Sequence, residues 1–258
     1  MVKGFELNLH VETIGKGPNL VLLHGWGLHS GVWDGVRADL ANRFRVHLVD
    51  LPGYGQSPTC SPYTIAEFAR ILAKGLPELV CVCGWSAGAQ VALRWALDFP
   101  GQVKHLVLVA ATPRFVRDTA WLSGIEAEVL REFAADLHRN AQGTLRRFIS
   151  LQTRGEKNAR KQSAWLSKRL IGTADKEVLQ AGLQMLLDTD LRPEMREVKQ
   201  PALLLHGQKD GLVPVTAAHR LKQLLVRAKL EVFEDCAHVP FLEQHGKFVK
   251  LVSEFIDE

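Results

Sequence analysis

The chain has 258 residues, of which 47% are hydrophobic and 23% are charged, a balance typical of soluble globular proteins. A chain of this length can bury a large core, so it needs neither disulfides nor a structural metal for stability. Its four cysteines include no C-x-x-C pair, which argues against zinc-binding and redox motifs and favours a reducing, cytoplasmic location. The N-terminal residues lack the apolar segment of a secretion signal, and no apolar run is long enough to span a membrane.

Strands and helices alternate in the first part of the chain. Residues 5–13 alternate apolar and polar side chains and predict an edge strand of a hairpin. Further strands are predicted at 20–23, 46–49, 79–83 and 106–110. Helices are predicted at 64–74, where Thr64 and Glu67 form a capping box, and at 89–99. Apolar strands that alternate with helices indicate a mostly parallel sheet flanked by helices.

The alternation stops after Thr112-Pro113, and no strand-like run follows until residue 202. Four amphipathic helices are predicted instead, at 124–139, 141–152, 157–170 and 175–187. The chain is completed by strands at 202–205 and 230–233 and by helices at 215–225 and from residue 241. We therefore predict an α/β fold with a core domain of residues 1–112 and 191–258 and an inserted helical cap (lid) of residues 113–190.

A serine stands at the junction of the fourth predicted strand and its helix, in the pentapeptide Gly84-Trp85-Ser86-Ala87-Gly88. Strand, G-x-S-x-G and helix in succession are the context of a nucleophile elbow, a tight turn that exposes the serine hydroxyl. The turn strains the serine backbone, so small neighbours are needed where helix and strand approach. Alone, the pentapeptide is a weak signal, and a glycine-rich turn without catalytic function is the alternative.

A base and a carboxylate that would activate this serine are expected at the carboxyl ends of other strands. Asp210 follows the first strand after the cap, and His238 follows the last strand in an Asp-x-x-His turn. The order Ser86, Asp210, His238 is that of the G-x-S-x-G hydrolases. The position after the fifth strand offers no carboxylate, and none of the nine other histidines follows a late strand in this way. Asp210 and His238 are therefore the predicted partners of Ser86.

Ester hydrolysis also needs donors for the negative charge that develops on the carbonyl oxygen. The backbone N–H of Ala87, the residue after the nucleophile, is one predicted donor. The second is expected from the loop after the strand at 20–23, which assigns it to the backbone N–H of Trp26 between Gly25 and Gly27. Four further polar residues are interpreted as loop-shaping rather than catalytic: His24, Asp50, His206 and Asp235.

From end to end the chain resembles the α/β-hydrolase superfamily. The landmarks occur here in order, as His24-Gly25-Trp26-Gly27, the turn at 50–57, Gly84–Gly88, a helical cap, Asp210 and His238. Serine as nucleophile argues against the haloalkane dehalogenases and epoxide hydrolases of this fold, which use aspartate. Within the superfamily the chain is similar to the pimeloyl-(acyl-carrier protein) methyl ester esterase family of biotin synthesis. Five phrases carry that similarity, at residues 22–28, 47–55, 84–88, 147–153 and 210–214.

The resemblance implies an α/β-hydrolase fold and hydrolysis of the methyl ester that masks the far carboxyl of a pimeloyl chain on acyl carrier protein. It implies no metal and no other cofactor. With Trp85 as a further candidate, the substrate contacts that it implies are Trp26, Ser86, Ala87, Phe148, Ile149, Ser150, Leu151, Gln152 and His238. Ala87 and Ala89 stand where a larger residue and a glycine are expected, which predicts a wider acyl pocket and a looser chain-length preference.

The net charge of +4 is concentrated in one segment. Residues 141–170 carry eight basic residues and one acidic residue, so the rest of the chain is net negative. An acidic partner should meet this segment, and acyl carrier proteins are strongly acidic. Candidate carrier-protein contacts are Arg146, Arg147, Arg154, Lys157, Arg160 and Lys161. A solvated helix surface is the alternative, and no motif accompanies the charge that would indicate nucleic-acid binding.

The sequence thus predicts a cytoplasmic, monomeric serine carboxylesterase, and two other functions stay open. One keeps the same three residues but changes the substrate, as a general short-chain carboxylesterase, lactonase or C–C hydrolase of a small metabolite. The other is a ligand-binding module on the same fold that has no catalytic activity. The intact set of Ser86, Asp210 and His238 argues against this last function.

Overall fold

The computed structural model describes residues 8–170 and 176–258, and its centre is a seven-stranded sheet. Its strands are β1 (Val11–Ile14), β2 (Asn19–Leu23), β3 (Arg45–Val49), β4 (Val80–Trp85), β5 (Val103–Val109), β6 (Ala202–Gly207) and β7 (Ala228–Phe233). Their order across the sheet is β1-β3-β2-β4-β5-β6-β7, and every neighbouring pair is parallel except β1 with β3. The predicted α/β fold with a mostly parallel sheet is confirmed.

The first strand departs from its prediction. β1 is an antiparallel edge strand, but it pairs with β3 and forms no hairpin with β2, so the predicted hairpin is wrong. The turn between β1 and β2 carries Gly15 and Gly17, both with positive φ, and presses against the chain just before β3. A Cβ on Gly15 would lie 2.4 Å from the Phe44 carbonyl oxygen, so a side chain there would block this route. Residues 5–7 of the predicted strand lie outside the described residues.

Helices cover both faces of the sheet. They are α1 (Arg37–Ala41), α2 (Ile65–Gly75), α3 (Ala87–Asp98), α4 (Ala127–Arg139), α5 (Ala141–Gln152), α6 (Ala159–Ser167), α7 (Lys176–Asp188), α8 (Val215–Leu224), α9 (Pro240–Glu243) and α10 (His245–Asp257). In the described ranges, none of them is both long and apolar enough to cross a membrane.

Alternate residues of the central strands pack against opposite layers of helices. Val21 of β2 lies in the apolar cluster that includes Phe68 of α2 and Trp95 of α3. Leu22, its neighbour, lies in the cluster that includes Phe248 of α10. Because both faces are covered, the strands are continuous apolar runs, and each large side chain so buried contributes about 1.5–3 kcal/mol to stability.

The helices α4–α7 follow β5 and precede β6, where the sequence predicts the cap. The third is shorter than predicted, because α6 spans Ala159–Ser167 instead of 157–170. Its amphipathic character holds, with Leu166 buried and Lys161 exposed. The fourth begins at Lys176, and residue 175 of its predicted range lies outside the described residues. The division of the chain at residues 113 and 190 remains a prediction.

The two crossings between core and cap are tied to each other. The backbone N–H of Leu191 donates to the Pro113 carbonyl at 3.0 Å. Beside this bond, Arg114 pairs with Asp190 at 2.6 Å. These contacts fix where the cap leaves and rejoins the core, and so where it lies over the carboxyl ends of the strands.

Candidate active site

Ser86 occupies a strained turn between β4 and α3. Its φ of 56° and ψ of −116° are rare for a residue with a side chain, and its N–H donates to the Val109 carbonyl at 2.9 Å. A Cβ on Gly84 would lie 2.3 Å from the Gly88 carbonyl oxygen, and one on Gly88 would lie 2.6 Å from that of His24. These two glycines therefore allow strand and helix to approach closely enough to form the turn. The helix begins at Ala87, two residues earlier than predicted.

Asp210 and His238 meet at the carboxyl ends of β6 and β7. The Nδ1 atom of His238 lies 2.7 Å from Oδ2 of Asp210, and both side chains are buried. The other carboxylate oxygen, Oδ1, accepts backbone N–H groups of Leu212 and Val213, both at 2.9 Å. Burial opposes the charged form of Asp210, but the nearby histidines and these hydrogen bonds outweigh it and lower the pKa of the carboxyl. An ionised Asp210 leaves Nδ1 of His238 as the donor and directs Nε2 outward as an acceptor.

Ser86 and His238 line one and the same cavity. In the described residues, the Ser86 hydroxyl and Nε2 of His238 form no hydrogen bond with each other or with a third group, so both are free to engage a ligand. Catalytic hydrogen bonds of this kind are often long until substrate is bound. The structure thus brings together the three residues that the sequence singled out. This set can remove the serine proton and stabilise the imidazolium that results.

The backbone N–H groups of Trp26 and Ala87 are the predicted donors to a negatively charged oxygen. Within the described ranges, the amides of Trp26 and Ala87 donate to no acceptor. Ala87 is the first residue of α3, where the helix dipole adds to its attraction for an anion. Gly25 packs against the elbow, since a Cβ there would lie 3.4 Å from Cβ of Ser86. The indole N–H of Trp26 donates to the Leu179 carbonyl at 3.0 Å, which anchors this loop to the cap.

The polar residues near the elbow shape its loops, as the sequence predicts. His24 is fully buried, with Nδ1 2.8 Å from the Gly25 carbonyl oxygen and Nε2 accepting the N–H of Leu51 at 3.0 Å. Burial lowers the pKa of His24 to about 4, so it is neutral and holds two loops together. Asp50 accepts the N–H groups of Ser30 and Gln56 at 2.8 and 2.9 Å and shapes its turn.

The cavity beyond Ser86 and His238 measures about 100 Å³, and its other walls are apolar. They consist of Trp26, Phe115, Ile125, Val129, Leu130, Phe133, Phe148, Leu151, Leu183, Leu186 and Leu212. The rings of Trp26, Phe133 and Phe148 meet with centroids 5.0 to 5.8 Å apart. Val129 and Leu151 remain 53% and 36% exposed, so they mark the mouth. Apolar walls of this kind suit a hydrocarbon chain whose ester lies beside Ser86.

The structure places part of the predicted substrate-binding segment on this cavity and part elsewhere. Phe148 and Leu151 of α5 line it, whereas Ile149 packs into the core and Ser150 is exposed. Gln152 is buried outside the cavity walls, and its carbonyl accepts the N–H of His238 at 3.0 Å. Five successive residues of a helix point in different directions, so they do not all line one cavity, and their contacts with substrate stay a prediction.

Trp85 does not line the cavity. Its ring packs against Phe241 on the opposite side of the sheet, and its indole N–H donates to the His238 carbonyl at 2.9 Å. Ala87 and Ala89 are buried and form no part of the cavity wall either. The structure therefore gives no basis for the wider acyl pocket predicted from these two alanines.

Sequence reasoning missed most of the cavity wall. Phe115 and Ile125 lie in the loop that enters the cap, and the remaining missed residues come from α4, α7 and the loop after β6. The apolar stripes of the cap helices were the available signal, but a stripe does not distinguish a ligand cavity from an ordinary core. No cluster of histidine, cysteine or acidic residues suited to a metal ion occurs in residues 8–170 and 176–258.

The six predicted carrier-protein contacts are all exposed on the cap. Arg147 pairs with Asp136, whereas the other five have no acidic partner in the part of the chain that is described. Arg147 lies one helical turn before Leu151 on α5, and Arg154 lies in the turn that follows this helix, three residues after Leu151. Exposed positive charge therefore lies close to Leu151 at the apolar opening.

Known proteins are similar to this chain in sequence and in fold. The family model of the α/β hydrolase fold matches residues 18–244. The pimeloyl-(acyl-carrier protein) methyl ester esterase of Nitrosomonas europaea is 46% identical over 244 residues, which are 94% of this chain and 97% of that protein. The protein of the same name from Chromobacterium violaceum is 39% identical, with 97% of this chain and 99% of that one covered.

Solved structures agree on the architecture. An esterase from Exiguobacterium antarcticum superposes with a TM-score of 0.89 at 24% identity, over 97% of this chain and 96% of that one. The enol-lactonase of Burkholderia xenovorans does so with a TM-score of 0.86 at 24% identity, over 97% and 96%. At this identity the likeness concerns the fold alone. The chain belongs to the α/β-hydrolase superfamily and, within it, to the family of the pimeloyl-(acyl-carrier protein) methyl ester esterases.

Proposed function

We propose that this chain is a serine carboxylesterase that hydrolyses the methyl ester of a pimeloyl chain carried on acyl carrier protein, in biotin synthesis. The names of the similar proteins support this substrate. The observation that carries the proposal is the cavity. Ser86 and His238 line it together, its other walls are apolar, and exposed basic residues lie on the same cap. The apolar walls suit the hydrocarbon chain, and the basic surface of the cap suits an acidic carrier.

The reaction proceeds through an acyl-enzyme. His238 takes the proton of the Ser86 hydroxyl as Oγ attacks the ester carbonyl, and Asp210 stabilises the imidazolium. The N–H groups of Trp26 and Ala87 bind the oxyanion. The C–O bond to methanol then breaks, and His238 gives its proton to the leaving oxygen. Water attacks the acyl-enzyme in the same manner, which releases the free carboxylate and restores Ser86.

Carrier-protein binding engages the exposed basic residues of the cap. Arg146, Arg154, Lys157, Arg160 and Lys161 attract an acidic partner, and none has to break an ion pair within the described residues. Phe148, Leu151 and Trp26 then receive the acyl chain. Ile149, Ser150 and Gln152 belong to the same helix but do not line the cavity, so their predicted contacts with substrate await the test below.

We further propose that the protein acts as a monomer in the cytoplasm, without nucleic acid. Its four cysteines are all free, and three of them are buried, which suits a reducing compartment. The basic face is spread over exposed helix surface and carries none of the features of a nucleic-acid-binding motif.

The test is the rate of methyl ester hydrolysis on carrier-protein-bound acyl chains of graded length, compared with the free methyl ester. We expect the double variant Arg154→Glu/Arg160→Glu to lower kcat/KM for the carrier-bound ester about 10-fold to 100-fold at low salt. The free ester should be unaffected. The variant Lys199→Glu/Lys222→Glu makes the same change in net charge on the core and is the matched control. The gene should also restore biotin-independent growth to a strain that lacks its esterase.

A general short-chain esterase or lactonase is the competing function, and the apolar cavity wall is the observation in its favour. Nothing in that wall recognises a carrier protein or a fixed chain length. Hydrolysis of the carrier-bound ester that ignores both salt and the charge reversals would establish this competing function. A serine-directed phosphonate that fails to label Ser86 would instead indicate a non-catalytic binding module.

A further inference from the structure

A carboxyl group of the cap contacts the loop that carries His238. Glu156 lies between α5 and α6, is only 7% exposed, and accepts the backbone N–H of Ala237 on Oε1 at 2.5 Å. Ala237 directly precedes His238. The other carboxyl oxygen, Oε2, is buried and has no hydrogen-bond partner in the described ranges. The whole interaction of this carboxyl is therefore with the backbone next to the histidine.

Further contacts hold the same loop from both sides. The carbonyl of Gln152 accepts the N–H of His238 from the cap, and the indole of Trp85 donates to the carbonyl of His238 from the core. A Cβ on Gly207 would lie 1.9 Å from the Ala237 carbonyl oxygen, so β6 closes the remaining side. We call this set of contacts the His238 clamp. Glu156 is the side chain in it that can change its charge.

The surroundings of Glu156 are mostly acidic. It faces Asp210 and Lys209 after β6, Cys236 in the clamped loop and Glu243 at the end of α9. Burial, reinforced by Glu243 and Asp210, raises the pKa of Glu156 to about 7, although the N–H of Ala237 and the charge of Lys209 oppose the shift. The charge of this carboxyl therefore changes near neutral pH, beside the pair formed by Asp210 and His238.

We propose that Glu156 is a positioning residue for His238, which holds the loop through Ala237 and, by binding or releasing a proton, alters how readily the histidine accepts the proton of Ser86. The proposal rests on the roles proposed above for Ser86, Asp210 and His238. A neutral carboxyl keeps an acceptor oxygen for Ala237. An ionised one adds a negative charge beside Asp210, and an anion favours the protonated imidazole, which is not a base.

Two substitutions separate the hydrogen bond from the charge. Glu156→Gln keeps an acceptor for Ala237 and is always neutral, whereas Glu156→Ala removes both. Glu243→Gln is the matched control, because Glu243 also ties the cap to the core, through Asn158 and Gln162, without contacting Ala237. We would measure kcat and KM on a short aryl ester, which needs no carrier protein, across the acidic limb of the pH profile.

Glu156→Ala should lower kcat about tenfold and leave KM unchanged, because the histidine loses its position but the cavity does not change. Glu156→Gln should restore kcat to within about threefold of wild type. It should also move the acidic limb of kcat/KM about half a pH unit lower, because no negative charge appears beside the imidazole. Glu243→Gln should leave kcat unchanged, because it keeps the contact between Glu156 and Ala237. It is the control for kcat only, since the charge of Glu243 helps to raise the pKa of Glu156.

Three results would overturn the proposal. They are a Glu156→Ala enzyme with wild-type kcat, an unmoved acidic limb in Glu156→Gln, and a loss of kcat in Glu243→Gln equal to that in Glu156→Ala. If Glu156→Ala does not fold by circular dichroism, the acidic limb of Glu156→Gln decides alone. Failure of the proposed catalytic roles is seen separately, as hydrolysis of the aryl ester by Ser86→Ala.

Discussion

The strand ends and the cap contribute to the site in different ways. At the strand ends the backbone sets the geometry, as in the positive φ of Ser86 and the two N–H groups that hold Oδ1 of Asp210. In the cap, apolar side chains such as Phe133 and Leu183 set the geometry of the cavity. Backbone geometry is shared by a superfamily, whereas helix faces can vary one residue at a time. We therefore expect the chemistry to depend mainly on the core and the choice of substrate mainly on the cap.

The two regions meet at His238. The backbone of His238 forms hydrogen bonds with both, because its carbonyl accepts the indole N–H of Trp85 from the sheet and its N–H donates to the carbonyl of Gln152 in the cap. A movement of the cap would therefore change both the shape of the cavity and the position of the histidine. The following substitutions test how far chemistry and selectivity separate.

Ser86→Ala should have the largest effect. Without the nucleophile no acyl-enzyme forms, so kcat on any ester should fall at least about 10⁴-fold. Stability should stay within about 0.5 kcal/mol of wild type, because the hydroxyl has no hydrogen-bond partner in the described residues. Hydrolysis of a short aryl ester and urea unfolding measure the two quantities. Activity within tenfold of wild type would show that Ser86 is not the nucleophile.

Gly88→Ala tests whether the backbone builds the elbow. The new Cβ would lie 2.6 Å from the carbonyl oxygens of Leu23 and His24, so strand and helix would have to separate. We expect a loss of about 3 kcal/mol in the free energy of unfolding, measured in urea. Gly101→Ala is the control, because a Cβ there meets nothing within 4 Å. Equal stabilities of the two variants would contradict the steric explanation.

Glu156→Gln tests the contact between the two regions through stability. The pKa of Glu156 is raised to about 7, so its carboxyl is less costly to bury when protonated. Its contribution to stability is complete below the ordinary carboxyl pKa and is lost as the pH rises through about 7. The Gln variant lacks this loss and should be about 1–2 kcal/mol more stable than wild type at mildly alkaline pH, with a smaller difference in acid. A difference that does not change with pH would contradict the buried ionisation.

Phe133→Ala tests the cap alone and should have the smallest effect. Phe133 forms part of the cavity wall between Trp26 and Phe148, so its loss lengthens or widens the space for the acyl chain. We expect the ratio of kcat/KM for longer over shorter methyl esters to rise about tenfold, while kcat on the best substrate changes little. Val226→Ala, at an exposed site of the core, is the control. An unchanged ratio would show that selectivity does not reside in this wall.

The fold and the residues at the strand ends could be predicted because their signals are local. Ser86, Asp210 and His238 each follow an apolar run, and parallel strands bring such positions to one edge. The same reasoning could have predicted that Trp85, a candidate substrate contact, does not line the cavity. Trp85 lies two and four positions after Cys83 and Cys81, so all three share one face of β4. They belong to the apolar cluster that includes Phe248 of α10.

The cavity wall and the His238 clamp could not be predicted, for a physical reason. The contact between Glu156 and Ala237 joins residues 81 positions apart, and it depends on how the cap lies on the core. The predicted hairpin of β1 is wrong for a similar reason. The strand pairs with β3, which comes later in the chain than the turn at Gly15 and Gly17. Interactions between distant segments leave no periodic signal in either one.

The most direct test is to identify by mass spectrometry which bond of the carrier-bound substrate is cleaved and which residue becomes acylated. Substrate with a methyl pimeloyl chain on acyl carrier protein would be mixed with enzyme and quenched in acid. The proposed function requires a transient covalent adduct of enzyme and acylated carrier on the Ser86 peptide. It also requires a carrier product that keeps its acyl chain and is lighter by one methylene. A carrier released with a free thiol, or an adduct on another residue, would contradict it.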